Sequence, residues 1–244
     1  MLECSPEVKI GGVYSSRAYG DFEVLEIKNS RNVKIMFVLT GTVKITRACH
    51  VLSGSVKDNY FPSIFGEGYL GEIENCTKAF YKRWFAMMVR CYGDPTGEKF
   101  PAYQGCKVSE EFKDYSKFEK WCESQLGASE SSWELDKDIL SRGSKIYSSE
   151  TCCFVPQEVN VLVTKRCIRS KPSALLSGVS FHKQSGKYRA SLDRKHIGLF
   201  NKEWDAFLAY KFAKEDKIRM SAEKWKGIID DRVYNSLMNW TIKP

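Results

Sequence analysis

The stretch GVSFHKQSGKYRASLDRKHIGLF, beginning at Gly178, sets basic and hydroxyl side chains at every second position: Ser180 and His182, then Lys187, Arg189 and Ser191, then Arg194 and His196, with Lys183 and Lys195 beside them. Alternate residues of an extended chain share one face, so these groups gather on one side of the strands that carry them. The chemistry is recognition of a polyanion rather than the making or breaking of bonds. Arg189 and Arg194 suit guanine, because a guanidinium meets both of its major-groove acceptors at once. Lys183, Lys187 and Lys195 suit phosphates, and His182 and His196 suit either.

Such a face needs strands, turns and an apolar backing. The residues predict one strand ending at His182 and Lys183, a turn at Gln184-Ser185-Gly186, a second strand from Lys187 to Leu192 and a third around His196 to Phe200. Val179, Phe181, Tyr188, Ala190, Leu192, Ile197 and Leu199 or Phe200 form the reverse side. They are expected to pack on a following helix in which Trp204, Phe207, Leu208 and Phe212 recur at helical spacing. One or two more helices close the chain.

The charge agrees with a polyanion partner. The 244 residues carry a net +8, but from Lys165 onward there are 18 Lys and Arg against 8 Asp and Glu, a balance of +10, whereas the preceding residues hold 20 against 22. A folded basic segment of this kind is the electrostatic footprint of a nucleic-acid binder, with salt-dependent affinity. No run approaches the length of a membrane span, and the opening MLECSPEVKI lacks the charged-then-apolar layout of a signal peptide, so a cytoplasmic protein is expected. The nine cysteines are odd in number and form no Cys-x-x-Cys pair, which favours buried reduced thiols over disulfides or zinc.

The fold class is α+β. Residues 1–75 read as a small antiparallel β barrel or sheet, with Phe22, Val24, Leu25 and Ile27, then Val33, Ile35 and Phe37, then Val43 and Ile45 on strand spacing. Residues 76–164 begin with a helix whose stripe is Phe80, Trp84, Met87, Met88 and Cys91, followed by a second in EEFKDYSKFEKWCESQ. A charged strand in WELDKDIL and an apolar strand or helix ending near Asn160 complete that segment. Residues 165–176, basic and broken by Pro172, read as a linker, and 177–244 as the DNA-binding domain.

The ordered run Tyr81-Lys82-Arg83-Trp84, Arg90-Cys91-Tyr92, Tyr103-Gln104-Gly105-Cys106-Lys107-Val108, LDKDIL, GSKIYSSETCCFVP and Asn160 resembles a group of phage-encoded, homing-type HNH-like endonucleases. The resemblance covers most of the chain. It implies a ββα nuclease domain using Mg²⁺ or Mn²⁺, with Asp136 as the metal carboxylate and Asn160 as the late ligand. Lys137 falls where the general-base histidine belongs; at its ordinary pKa it is a poor base, which leaves it a phosphate contact and turns attention to Asp138. Gly178-Val179, Gly186-Lys187-Tyr188, Ala190 and Ile197-Gly198-Leu199-Phe200 resemble the ethylene-response-factor type of DNA-binding domain, whose three-stranded sheet lies in the major groove of duplex DNA. Together these imply a DNA endonuclease; the alternative is a non-catalytic DNA-binding regulator with a degenerate nuclease domain.

Overall fold

The computed structural model describes residues 7–73, 76–164 and 175–244. Most of the expected linker lies outside them. In chain order the first half contains β1 (Val13–Ser15), β2 (Asp21–Asn29), β3 (Asn32–Phe37), β4 (Val43–Thr46), α1 (Ala48–Ser53), α2 (Lys78–Tyr92), β5 (Lys107–Val108), α3 (Glu110–Lys113) and α4 (Tyr115–Glu123). The second half contains β6 (Trp133–Asp136), α5 (Asp138–Ser141), β7 (Ile146–Tyr147), β8 (Cys153–Pro156), α6 (Gln157–Val163), β9 (Val179–His182), β10 (Lys187–Leu192), β11 (Lys195–Phe200), α7 (Glu203–Lys224) and α8 (Asp231–Met238). The mixed α+β class is as expected. Two compact units form, one from residues 1–123 with 145–148 and the other from 124–144 with 149–244, a division drawn elsewhere than the sequence boundaries. Among the described residues no helix is long and apolar enough to cross a membrane.

In the first unit β1 to β4 form an antiparallel meander. Phe22, Val24, Val33, Ile35 and Phe37 are fully buried on one face with Val51 and Val56, each large side chain contributing roughly 1.5–3 kcal/mol. A register shift between Val24 and Glu26 interrupts the alternation. Leu25 is therefore exposed while Ile27 returns to the core side. Val43 and Ile45, on the terminal strand β4, are exposed as well, a departure from the strand pattern expected of them.

The α2 stripe buries Phe80, Trp84, Met87 and Met88, and Cys91 is half-buried. The Trp84 indole donates to the Phe112 carbonyl at 2.6 Å. The single helix expected over EEFKDYSKFEKWCESQ is instead two, because Asp114 adopts an extended conformation and its Oδ1 accepts from the Ser116 amide at 3.0 Å and hydroxyl at 2.6 Å. That local carboxylate competes with the backbone and starts a new helix.

In the second unit β6 pairs antiparallel with β8, from Trp133 opposite Pro156 to Asp136 opposite Cys153, and α6 follows β8 directly. The helical pair α7 and α8 is knitted to this segment. Glu158 accepts from the Lys224 ammonium and the Trp225 indole, Trp133 meets Trp225 edge to face, and Ser236 donates to the Ile139 carbonyl at 2.5 Å. The strands β11, β10 and β9 form a second antiparallel sheet against α7, with Val179, Ala190, Ala206 and Phe207 at the centre of their core.

The sheet-facing stripe of α7 runs through Ala206, Phe207 and Tyr210 rather than through the full expected set. Trp204 and Phe212 are exposed, Phe212 at 61 %. Among the thiols Cys106, Cys122, Cys152 and Cys153 are buried, whereas Cys49 and Cys76 are exposed, which corrects the expectation of buried cysteines at those two positions.

Candidate nucleic-acid interface

The central strand β10 sets the geometry of the basic face. Directly opposed residues of an antiparallel pair share a side. Lys187 faces His182, and Arg189 lies between Ser180 on β9 and Leu199 on β11, while Ser191 faces His196. Those positions make the outward side. The reverse side carries Ala190 between Val179 and Gly198, and Tyr188 between Phe181 and Phe200; Val179, Ala190, Tyr188 and Phe200 pack with α7, whereas Phe181, expected to join them, is exposed.

The Arg189 Nε donates to Ser180 Oγ at 3.2 Å, which extends the guanidinium across the sheet. The His182 Nδ1 lies 2.9 Å from Ser185 Oγ in the turn that follows it. Among the described residues none of Lys183, Lys187, Arg189, Arg194 and Lys195 is paired with a carboxylate. An array of cations without internal counter-ions presents its field outward.

Three of the nine expected residues are not on that side. Arg194 occupies, with Asp193, the two-residue turn between β10 and β11; their φ values of 66° and 48° are both left-handed, the signature of a turn whose twist matches its strands. The Asp193 carboxylate is pinned by Lys217 of α7. Lys195 opposes Leu192 and so alternates away from Ser191 and His196, and Lys183 lies in the turn between β9 and β10. These side chains border the interface at its ends.

A register shift between Ala190 and Ser191 leaves Ile197 as the extra residue of β11. Leu199 consequently belongs to the outward side and Phe200 to the inner one. Ile197 and Leu199 are exposed, an outcome that strict alternation does not identify, since a bulge has no fixed sequence signal. Apolar contacts of this kind meet thymine methyl groups.

The β6–α5 junction has a different character. Asp136 ends β6, and its Oδ1 accepts from the amides of Asp138 at 2.8 Å and Ile139 at 2.7 Å, satisfying the first turn of α5. Burial pushes its carboxyl above the ordinary range, against the lowering effect of those two bonds. Lys137, only 6 % exposed, donates from Nζ to Asp138 Oδ1 at 2.6 Å and to the Ser144 carbonyl at 2.8 Å. An ammonium so engaged is not a base, and Asp138 is its counter-ion. Asn160 lies on α6, where its Oδ1 and main-chain carbonyl both accept from Thr164 Oγ1 at 3.0 and 2.7 Å.

Asp136, Lys137 and Asp138 are thus gathered in one turn, and Asn160 belongs to the helix that follows the second strand. Asp136 retains a second carboxylate oxygen and Asn160 a second lone pair. Such oxygen donors fit in kind a hard cation like Mg²⁺, which keeps several waters beside one or two carboxylates. The neighbouring Cys153 thiol is pushed well up by burial and by Asp136, so it adds a neutral group and not a thiolate. Among the described residues no group of three or more His, Cys, Asp and Glu side chains is disposed to hold a metal ion. Comparison with family models, curated proteins and solved structures finds no match to this chain.

Proposed function

We propose that the protein binds duplex DNA through the outward side of β9 to β11. The observation that carries this reading is an outward strand face of Lys187, Arg189, Ser180, Ser191, His182 and His196, backed by a helix and lacking internal carboxylate partners. A β-sheet of this width suits the major groove. Arg189 exchanges its Ser180 contact for a bidentate contact with guanine, while Lys183, Lys187, Arg194 and Lys195 fix register on the phosphates. The test is fluorescence anisotropy with labelled duplexes over a salt series. Affinity that falls steeply with salt and drops further in Arg189→Ala supports the reading; salt-insensitive or absent binding rejects it.

A second reading, a metal-dependent DNA endonuclease, is favoured by one specific feature: two antiparallel strands followed directly by a helix, with Asp136 at the end of the first strand and Asn160 on the helix. Asp136 and Asn160 would hold Mg²⁺ or Mn²⁺, and such an ion supplies stabilisation of charge on a phosphodiester undergoing hydrolysis. Lys137 is fixed as a cation rather than a proton acceptor. Incubation of supercoiled plasmid with the protein and Mg²⁺, Mn²⁺ or EDTA tests it. Nicking that requires the ion and disappears in Asp136→Ala and Asn160→Ala supports cleavage, and intact plasmid under all conditions leaves the DNA-binding regulator.

A further inference from the structure

The helix α2 carries Lys78, Lys82, Arg83 and Arg90 and no carboxylate in its fifteen residues. Lys78 and Lys82 are four positions apart, so they are neighbours on the helix surface and repel each other. Among the described residues neither has an acidic partner. Alongside them Tyr81 and Phe85 stack, with centroids 6.1 Å apart and planes 21° apart. Phe85 is 38 % exposed despite its size.

A third ring is brought to the same place by an unfavourable backbone. Phe65 sits at the tip of a tight turn in which the amides of Ile64 and Gly68 bond to each other's carbonyls at 3.0 and 2.9 Å. Its φ is 55°, a left-handed conformation that a bulky side chain rarely adopts. The ring is 42 % exposed and lies 5.8 Å from Phe85. An unfavourable conformation that presents an apolar ring to solvent is the kind of feature that accompanies binding sites. Next to these rings is an open groove of about 370 Å³ lined by Tyr81, Lys82, Phe85, Val89, Arg90 and Phe100, without a carboxylate among its lining residues.

We propose that this surface holds unpaired DNA, with bases stacked on Phe65, Tyr81 and Phe85 and phosphates met by Lys78 and Lys82. Aromatic rings interleaved with cations are the recurring chemistry of single-strand binding, since every base has a π-face and every nucleotide a charge. The proposal rests on the DNA-binding reading for its class of partner, but its residues are all distinct from those of the sheet. A duplex keeps its bases stacked on each other, so this surface discriminates for unpaired segments.

The experiment uses the full chain with labelled oligo(dT) and, separately, a labelled blunt duplex. Phe65→Asn is the first variant, because Asn tolerates left-handed backbone, and Lys82→Glu is the second. Both are expected to weaken oligo(dT) binding by roughly 5-fold or more while duplex binding is unchanged. Phe65→Asn is also expected to leave the thermal midpoint equal or higher, whereas a ring serving only the fold would lower it. Absence of oligo(dT) binding, or binding unaltered in both variants, overturns the proposal. Loss of duplex binding in Arg189→Ala with oligo(dT) binding intact supports two separate surfaces; a wild-type chain that binds oligo(dT) but no duplex rejects the sheet reading and leaves this one standing.

Discussion

On the proposed duplex-binding reading Arg189 is the residue that would discriminate sequence, because it is central on β10 and its side chain is already extended across the outward side toward Ser180. Arg189→Ala is expected to cost about 1–3 kcal/mol of duplex affinity and to flatten base preference, read by anisotropy against duplexes varied one base pair at a time. Lys187→Ala is expected to weaken all duplexes alike and reduce the salt slope by about one. Arg194 behaves differently since it holds a turn position at φ 66°. Arg194→Gly removes a left-handed penalty of about 1 kcal/mol, so urea denaturation should show a gain of that order while base preference stays as it was. Asp136 separates two roles by substitution. Asp136→Ala leaves two α5 amides without their acceptor and costs about 1 kcal/mol; Asp136→Asn keeps an acceptor oxygen and most of the stability, yet on the endonuclease reading loses ion-dependent nicking. Lys187 and Arg189 were legible in the sequence because period-two spacing runs unbroken through β10. Arg194 and Lys195 were not, because a two-residue turn resets the alternation. The engagement of Lys137 with Ser144 was equally hidden, since a contact closed by a loop leaves no local spacing to read.

The elements that present these residues depend on close approaches that glycine alone permits. Gly178 enters β9 at φ 76°, and a Cβ there would fall 2.1 Å from the Tyr210 ring of α7. Gly178→Ala is expected to destabilise the sheet-helix packing by more than about 2 kcal/mol, combining a backbone penalty with overpacking. Duplex affinity should fall in parallel although no basic residue is changed, which circular dichroism melts and anisotropy on the same sample would show. Element identity was readable where amphipathic patterns are long, as in α2, or strictly alternating, as in β3. The break between α3 and α4 was not, because periodicity continues across Asp114 and only its side-chain bonds to Ser116 mark the stop. The exposed Phe212 on α7 shows the same limit. It is four positions from Leu208 but five from Phe207, so at about 3.6 residues per turn it is rotated well off the face that Ala206, Phe207 and Tyr210 turn to the sheet.

For the molecule as a whole, charge placement was the most legible property and the packing of distant segments the least. The basic excess after Lys165 is a count, whereas the joining of α6 to α7 through Glu158, Lys224 and Trp225 depends on residues far apart in sequence. Acid stability follows from buried carboxylates in the second unit. The Glu215 carboxyl is raised by burial, but bonds from the Lys211 ammonium and the Ile242 amide outweigh that and hold it below its ordinary value. Asp230 is held low by its fork with Arg232, against a smaller opposing effect of burial. A carboxyl whose folded pKa is depressed contributes stability that is fully present above its unfolded pKa and lost as pH falls through the folded one. Asp136, raised by burial, has the opposite sign, because its protonated form is the one the fold favours. Unfolding free energy from urea titrations should therefore be level with respect to Glu215 and Asp230 near neutrality and decline below about pH 4.5, the ordinary glutamate value. Glu215→Gln is expected to be less stable at pH 7, where Lys211 and the Ile242 amide lose a charged acceptor, and to show a shallower decline in acid. An equal acid slope in the variant would mean that Glu215 carries none of the dependence and that Asp230, paired with Arg232, is the carboxyl that sets it.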